Sequence, residues 1–439
     1  ERMLLRIQLT NQAAPPSSKA RVRLILAVAV FAYFVSVLER STMGVASLTA
    51  IGRYEVGAAA LSGLAVAQLA IYAVMQVPTG LLLDRFGARK LIIFGSFMTG
   101  TGNLIVAFSP VFALAVVGRM VVGFGDAFVF VSMIRLINGW LPGPRATKFT
   151  QLFANIGQLG QIASAVPFAY ILGLSGWTIA FSGAASLALV AASLSLLFLR
   201  DEERVTYATS AGLQGLVEQF RVNITDPITR KAFWVHFTMQ SSGSMFILLW
   251  GYPFMIQGEG LPRPVASSLL ASFVFIGFFV GPLFSHLCIK WPSRRHVIVT
   301  ALYSLMAGAW LLIFFTPGQN PLWQIVLLVL AIGVGGPASM IAFDYSRVAI
   351  PKYRLGSSNG IINSGGFIAT FTSMFLVGVA LDVIHALRLV GAEPLYSLAG
   401  FKLAFPFELL VITFGLFMFF RARSKALRTD RQLVGNNLE

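Results

Sequence analysis

The chain has 439 residues, of which 56% are hydrophobic and only 11% charged, and its formal net charge is +16. Soluble domains carry about a quarter charged residues, so this composition, with a mean hydropathy of +0.78, excludes a soluble globular protein and indicates an integral membrane protein. Its 38 Phe lie in long apolar runs, the sign of helical spans rather than of a barrel, and the single cysteine, Cys288, excludes an intramolecular disulfide and a cysteine metal cluster.

A bilayer is crossed by about 20 apolar residues of helix, and twelve such spans are expected: 24–48, 59–82, 90–108, 111–139, 151–173, 177–199, 232–256, 265–288, 296–316, 321–348, 358–381 and 401–420. Arg21 and Arg23 lead directly into a first span too long for the apolar core of a cleavable signal. Lys and Arg concentrate before the first span and at 85–90, 145–148, 200–231, 290–295, 352–354 and 421–431. The alternate connectors hold only Arg53, Arg263, Arg388 and Lys402. Because cytoplasmic loops retain basic residues, both termini are expected in the cytoplasm of a cell whose inner (plasma) membrane holds the protein. The net charge is then topology and contact with anionic lipid headgroups, and no nucleic-acid partner is expected. The polar stretch 200–231, amphipathic near Leu213–Phe220, divides a six-span half at 24–199 from another at 232–420, with cytoplasmic ends at 1–23 and 421–439. It is read as a linker between halves that move, a passive solvated loop being the plainer alternative. The Asn223-Ile224-Thr225 sequon falls on the cytoplasmic side and is discounted.

Between the second and third spans stands Gly80-Leu81-Leu82-Leu83-Asp84-Arg85-Phe86-Gly87-Ala88-Arg89-Lys90. This loop resembles the signature of the major facilitator superfamily, Gly-x-x-x-Asp-Arg-x-Gly-x-Arg followed by a second basic residue, at every fixed position. Internal repetition agrees with that resemblance. Pro142, Arg145 and Gly157 follow the fourth span as Pro351, Arg354 and Gly366 follow the tenth, with twelve residues from Arg to Gly each time. The second copy of the signature, Gly281 to His286, has Ser285 in place of the acid. The resemblance implies an all-α membrane protein of twelve helices in two pseudo-symmetric halves, a secondary transporter rather than an enzyme. It further implies alternating access to a small-molecule site, no cofactor, and a monomer in function.

The resemblance also implies that spans one, four, seven and ten line the cavity, and an ionisable side chain inside a span normally faces a cavity or a partner. Those four spans hold Glu39 and Arg40; Arg119, Asp126 and Arg135; His236 and Gln240; Asp344 and Arg347. Spans three, six, nine and twelve, expected at the periphery, hold only Glu408 within their apolar interiors. Arg119-Met120-Val121-Val122-Gly123-Phe124-Gly125-Asp126 resembles the family's fourth-span motif, whose Arg is the candidate to hold a proton-linked acid charged; Asp126 stands where a small residue is usual. Glu39 or Asp126 is expected to titrate during transport, the alternative being a permanently paired structural ion. Adjacent on a helix, Glu39 and Arg40 point about 100° apart, and Arg40 is the better candidate for a substrate carboxylate or phosphate, with snorkelling to headgroups as its alternative.

Asn155, Gln158 and Asn363, on spans five and eleven, are read equally as substrate hydrogen-bonding groups and as interhelical contacts. Arg135 and Asp344, each seven residues before its proline, suggest a gate pair between the halves, although Asp344 could instead pair with Arg347 one turn on. Gly80, Asp84, Arg85, Gly87 and Arg89 are assigned to gating, Asp84 capping the start of span eleven near Ser357–Gly360 while Arg85, Arg89 and Lys90 anchor to lipid. Span five lacks the Gly-Pro-x-x-Gly-Gly element that looks like the mark of drug antiporters. Proton-coupled import of a small polar or anionic solute is therefore preferred over proton-driven efflux of drugs or metabolites. Gly356-Ser357-Ser358-Asn359-Gly360 matches a nucleophile elbow only as a string, since no strand precedes it.

Overall fold

A computed structural model of the chain describes residues 19–141, 144–201 and 213–435. Pro142, Glu202, Glu203, Arg204 and the extreme termini lie outside the described residues, as do the side chains of Asp84, Arg145 and Ser285.

Among the described residues ten helices are long and apolar enough to cross a membrane. The stretch Asn155–Phe198 contains two of the expected spans. Gly176, at φ 78° and ψ −179°, interrupts the helical path inside Ala169–Phe198, a conformation a side chain would strain, and divides the fifth span from the sixth. The seventh is missing from the ten because His236 and the run Gln240-Ser241-Ser242-Gly243-Ser244 make its middle less apolar than the others. Pro227–Met245 runs on through π-turns at Phe246–Trp250 and Phe254–Gly258, on either side of Gly251–Pro253. Pro253 has no N–H to give the helical ladder, and a wider turn is the usual accommodation. With these two the architecture is the twelve-span one, without a strand among the described residues.

The remaining spans are Lys19–Tyr54, Ala58–Phe86, Ala88–Phe108, Phe112–Trp140, Arg263–Lys290, Arg295–Phe315 and Lys352–Ala386. The fifth begins at Pro144 and passes a π-turn at Ser164–Phe168 that contains Pro167. Span ten is segmented into Leu322–Gly333, Gly335–Ser339 and Ile341–Ala349 around Pro337, and span twelve comprises Leu398–Ala404 and Pro406–Gly435. Most helices outrun the apolar windows because a helix ends where its caps are, not where the bilayer ends. Large apolar side chains such as Phe279 and Phe315 stay exposed on the outer surface, where lipid rather than water meets them.

The repeat seen in the chain is a packing repeat. A Cβ on Gly157 of span five would fall 2.0 Å from the Tyr33 ring of span one. A Cβ on Gly366 of span eleven would fall 2.8 Å from His236 and 2.9 Å from Gln240 of span seven. Each half thus presses the fifth helix of its set against the first through a glycine.

Two expectations need correction. Span eleven starts at Lys352 after Pro351, not near Ser357–Gly360, because a proline at the helix entrance needs no amide partner and sets the chain for the first turn. Amides at 357–360 are already inside the helix, so an acid capping this end would meet residues 352–355 instead. Nor is the described part of the linker a solvated loop. Leu213–Thr225 is a helix, and the buried Asn223 accepts from Arg354 Nε and Nη2 at 2.9 and 2.7 Å and donates to the Arg354 carbonyl at 3.2 Å.

Candidate functional site

The polar centre lies where spans one, two, four, five and eleven converge. Arg40 and Asp126, distant in sequence, form a two-pronged ion pair: Arg40 Nε donates to Asp126 Oδ2 at 2.7 Å and Nη2 to Oδ1 at 2.9 Å. Asp126 also accepts from the Ser36 hydroxyl, one turn before Arg40 on span one. The Arg40 guanidinium lies over the Tyr72 ring of span two, 4.7 Å from its centroid, and 6.0 Å from that of Phe367 on span eleven. Its side chain is 14% exposed and that of Asp126 1%, so the pair can be approached from the arginine side. Arg40 therefore belongs to the interior and not to the headgroups. Tyr33 accepts from Gln158 Nε2 at 2.9 Å, and Gln158 in turn accepts from Gln161. Asp126, Tyr72 and Tyr33 are ionisable groups near Arg40.

Glu39 turns the other way, as the helical angle requires. Fully buried, it accepts from Asn103 Nδ2 of span three, leaving Oε1 without a partner. Arg119, equally buried, donates to Gln68 of span two, to Thr42 Oγ1 at 3.1 Å and to the Glu39 carbonyl at 3.5 Å. Two adjacent networks thus share spans one and four: an exposed-edge pair, Arg40 with Asp126, and a sealed set holding Glu39 and Arg119. Gly123 permits this, since a Cβ there would lie 2.2 Å from the Gln68 carbonyl oxygen.

In the second half Asn363 Nδ2 reaches Gln76 Oε1 of span two at 3.4 Å, beside the tilted Tyr72–Phe367 ring pair at 4.6 Å. Gln240 is half-buried against Gly366, and Asn155 is half-buried on span five. The structure does not bring His236 to the Arg40 centre; its Nδ1 faces the Ser339 carbonyl at 3.3 Å. Glu408 lies under span seven, accepting from Ser242 at 2.6 Å and Ser241 at 3.2 Å.

Of the gating set, Asp344 accepts from Arg347 Nη2, and Arg135 is half-buried near the end of Phe112–Trp140. Gly87 turns the chain between spans two and three at φ 79°, with Gly80 one helical stretch before it in Ala58–Phe86. Arg85 is exposed over the Phe86 ring. Arg89 turns into the protein: its Nη2 donates to the Leu196 carbonyl at 2.8 Å and its amide to Asp201 Oδ1 at 3.0 Å. Sequence reasoning missed Asp201, Tyr33, Tyr72, Gln68, Gln76 and Asn103. The tyrosines and amides carry no charge to mark them inside a span, and only their place opposite Arg40 or Arg119 gives them a role.

The profile of the Major Facilitator Superfamily matches residues 29–374. The probable galactarate/D-glucarate transporter of Escherichia coli (strain K12) is 23% identical over 416 residues, covering 85% of this chain and 92% of that one. The class G tetracycline resistance protein of Vibrio anguillarum is 28% identical over 287 residues, 62% of this chain and 70% of its own. Among solved structures, a bacterial homolog to the human lysosomal transporter Spinster, inward-facing and unoccupied, superposes with a TM-score of 0.73 at 14% identity, covering 94% of this chain and 99% of the other.

Proposed function

The chain belongs to the major facilitator superfamily, and from that premise we propose that this multi-pass membrane transporter imports a hydroxylated organic acid together with a proton. The observation that carries the reading is the fork of Arg40 on Asp126. Two parallel charge-assisted bonds to a carboxylate are what a substrate carboxylate would also make. Asp126 therefore competes with a substrate carboxylate for Arg40. A proton on Asp126 cancels its charge and frees the fork; a substrate carboxylate then takes its place. Proton and monoanion enter together, so the charge of the centre is unchanged and uptake is electroneutral.

Arg40 offers one fork, and Asp126, Tyr72 and Tyr33 are ionisable neighbours of it. A sugar acid with one carboxylate fits best, its hydroxyls meeting Gln158, Asn155, Gln240 and Asn363. The galactarate/D-glucarate relative favours an organic acid over a drug, and it covers more of the chain than the tetracycline resistance protein does. Glu39 with Arg119 forms the second proton-linked set. Arg135 and Asp344 close the seam at the basic end, which is taken as cytoplasmic, and Asp84 caps the entrance of span eleven there.

The reading is tested on purified protein by thermal shift with D-gluconate, D-galactonate, D-glucarate, galactarate and tetracycline. Aldonates should stabilise the wild type and leave Arg40→Ala unmoved. Stabilisation by tetracycline with none from any acid would replace this function with efflux.

A further inference from the structure

At the end of the bundle away from the basic loops, one side chain among the described residues hydrogen-bonds across between the halves. Asp382, in the last turns of Lys352–Ala386, accepts from the backbone N–H of Ala58 through Oδ1 at 2.7 Å and from that of Ala59 through Oδ2 at 2.8 Å. Those are the first amides of span two, which have no carbonyl partner within their own helix. A helix of 29 residues would ordinarily be capped by the residue just before it, yet Gly57 stands there and gives no side-chain bond. The space a local cap needs is filled from the other half: a Cβ on Gly57 would lie 2.8 Å from Asp382 Oδ1. Span eleven needs a glycine for the same approach, since a Cβ on Gly378 would lie 2.8 Å from the Ala58 carbonyl oxygen. No Lys or Arg among the described residues pairs with Asp382. Its charge is met by the two amides and the positive end of the span-two helix.

We propose that Asp382 is a gating residue, a latch that holds the far end of the seam shut and must release span two each time that end opens. Gly57 makes it a latch and not only a cap. Because span two has no cap of its own, separating the halves there strips two amides and a carboxylate of their partners at once. Spans two and eleven run antiparallel, so the acid near the C-terminal end of span eleven meets the entrance of span two. This rests on the alternating-access reading, but its test involves neither substrate nor proton.

In a Cys288→Ser background, spin labels at Gly52→Cys and His385→Cys, both exposed and on opposite halves, report the width of the far end by electron–electron distance measurement. Asp382→Asn, close in shape, should raise the ratio of the long- to the short-distance population by about three- to tenfold, the worth of a charged cap. Glu393→Gln, an exposed acid in the same far loop, should leave the distribution alone. Gly57→Asp with Asp382→Ala gives span two a cap of its own. In that double variant thermal stability should recover while the far end stays open. A wild-type distribution in Asp382→Asn, an equal shift in Glu393→Gln, or full closure in the double variant would each overturn the latch. Failure of acid uptake with the distance shift intact would instead sink the transport reading and leave the latch standing.

Discussion

Arg40 carries a neutral pair at the edge of a sealed protein interior, and its geometry fixes what substitution does. Arg40→Lys keeps the charge but loses the fork. A charge-assisted bond is worth about 1.5–3 kcal/mol, so KM for an aldonate should rise tenfold or more with kcat less affected, read by initial uptake rates. Asp126→Asn should leave counterflow exchange of the acid at equal pH while abolishing accumulation driven by an inward proton gradient. Retained accumulation would move the proton site to Glu39. The charged members of this centre were legible in the sequence, because a charge inside a span is costly and therefore conspicuous. Which charge met which was not, since Arg40 and Asp126 become neighbours only when spans one and four pack. The tyrosines and amides around them, and the backbone amides that Asp382 caps, left no such mark.

At the level of helices, close approach decides stability. Gly123→Ala would drive a Cβ to 2.2 Å from the Gln68 carbonyl, and Gln68 holds Arg119. A cost of about 1–3 kcal/mol is expected, seen as a lower melting temperature. Gly63→Ala, with nothing within 4 Å, should be neutral or slightly stabilising. Hydropathy placed the twelve spans because bilayer thickness fixes their length, yet it could not place their ends or breaks. Prolines and caps set those: Pro253 widens span seven into π-turns, and Pro351 starts span eleven at Lys352 rather than inside the apolar window. The amphipathic stretch near Leu213–Phe220 was visible as a pattern, but its docking through Asn223 on Arg354 was not, because that partner is far along the chain.

For the whole molecule, the two halves must separate alternately at either end while the centre exchanges Asp126 for a substrate carboxylate. At the basic end, Arg135→Asp should abolish uptake and adding Asp344→Arg should restore part of it; a double variant no better than the single would leave Asp344 to Arg347 alone. The central claim is a proton and a monoanion moving together through Arg40 and Asp126. It is tested most directly by uptake of labelled D-gluconate and D-galactonate into proteoliposomes under an imposed pH gradient, acidic outside, with and without a potassium diffusion potential. Accumulation that requires the pH gradient, ignores the potential and vanishes in Asp126→Asn is the expected result. Accumulation that survives collapse of the pH gradient, or that follows the potential alone, would contradict it.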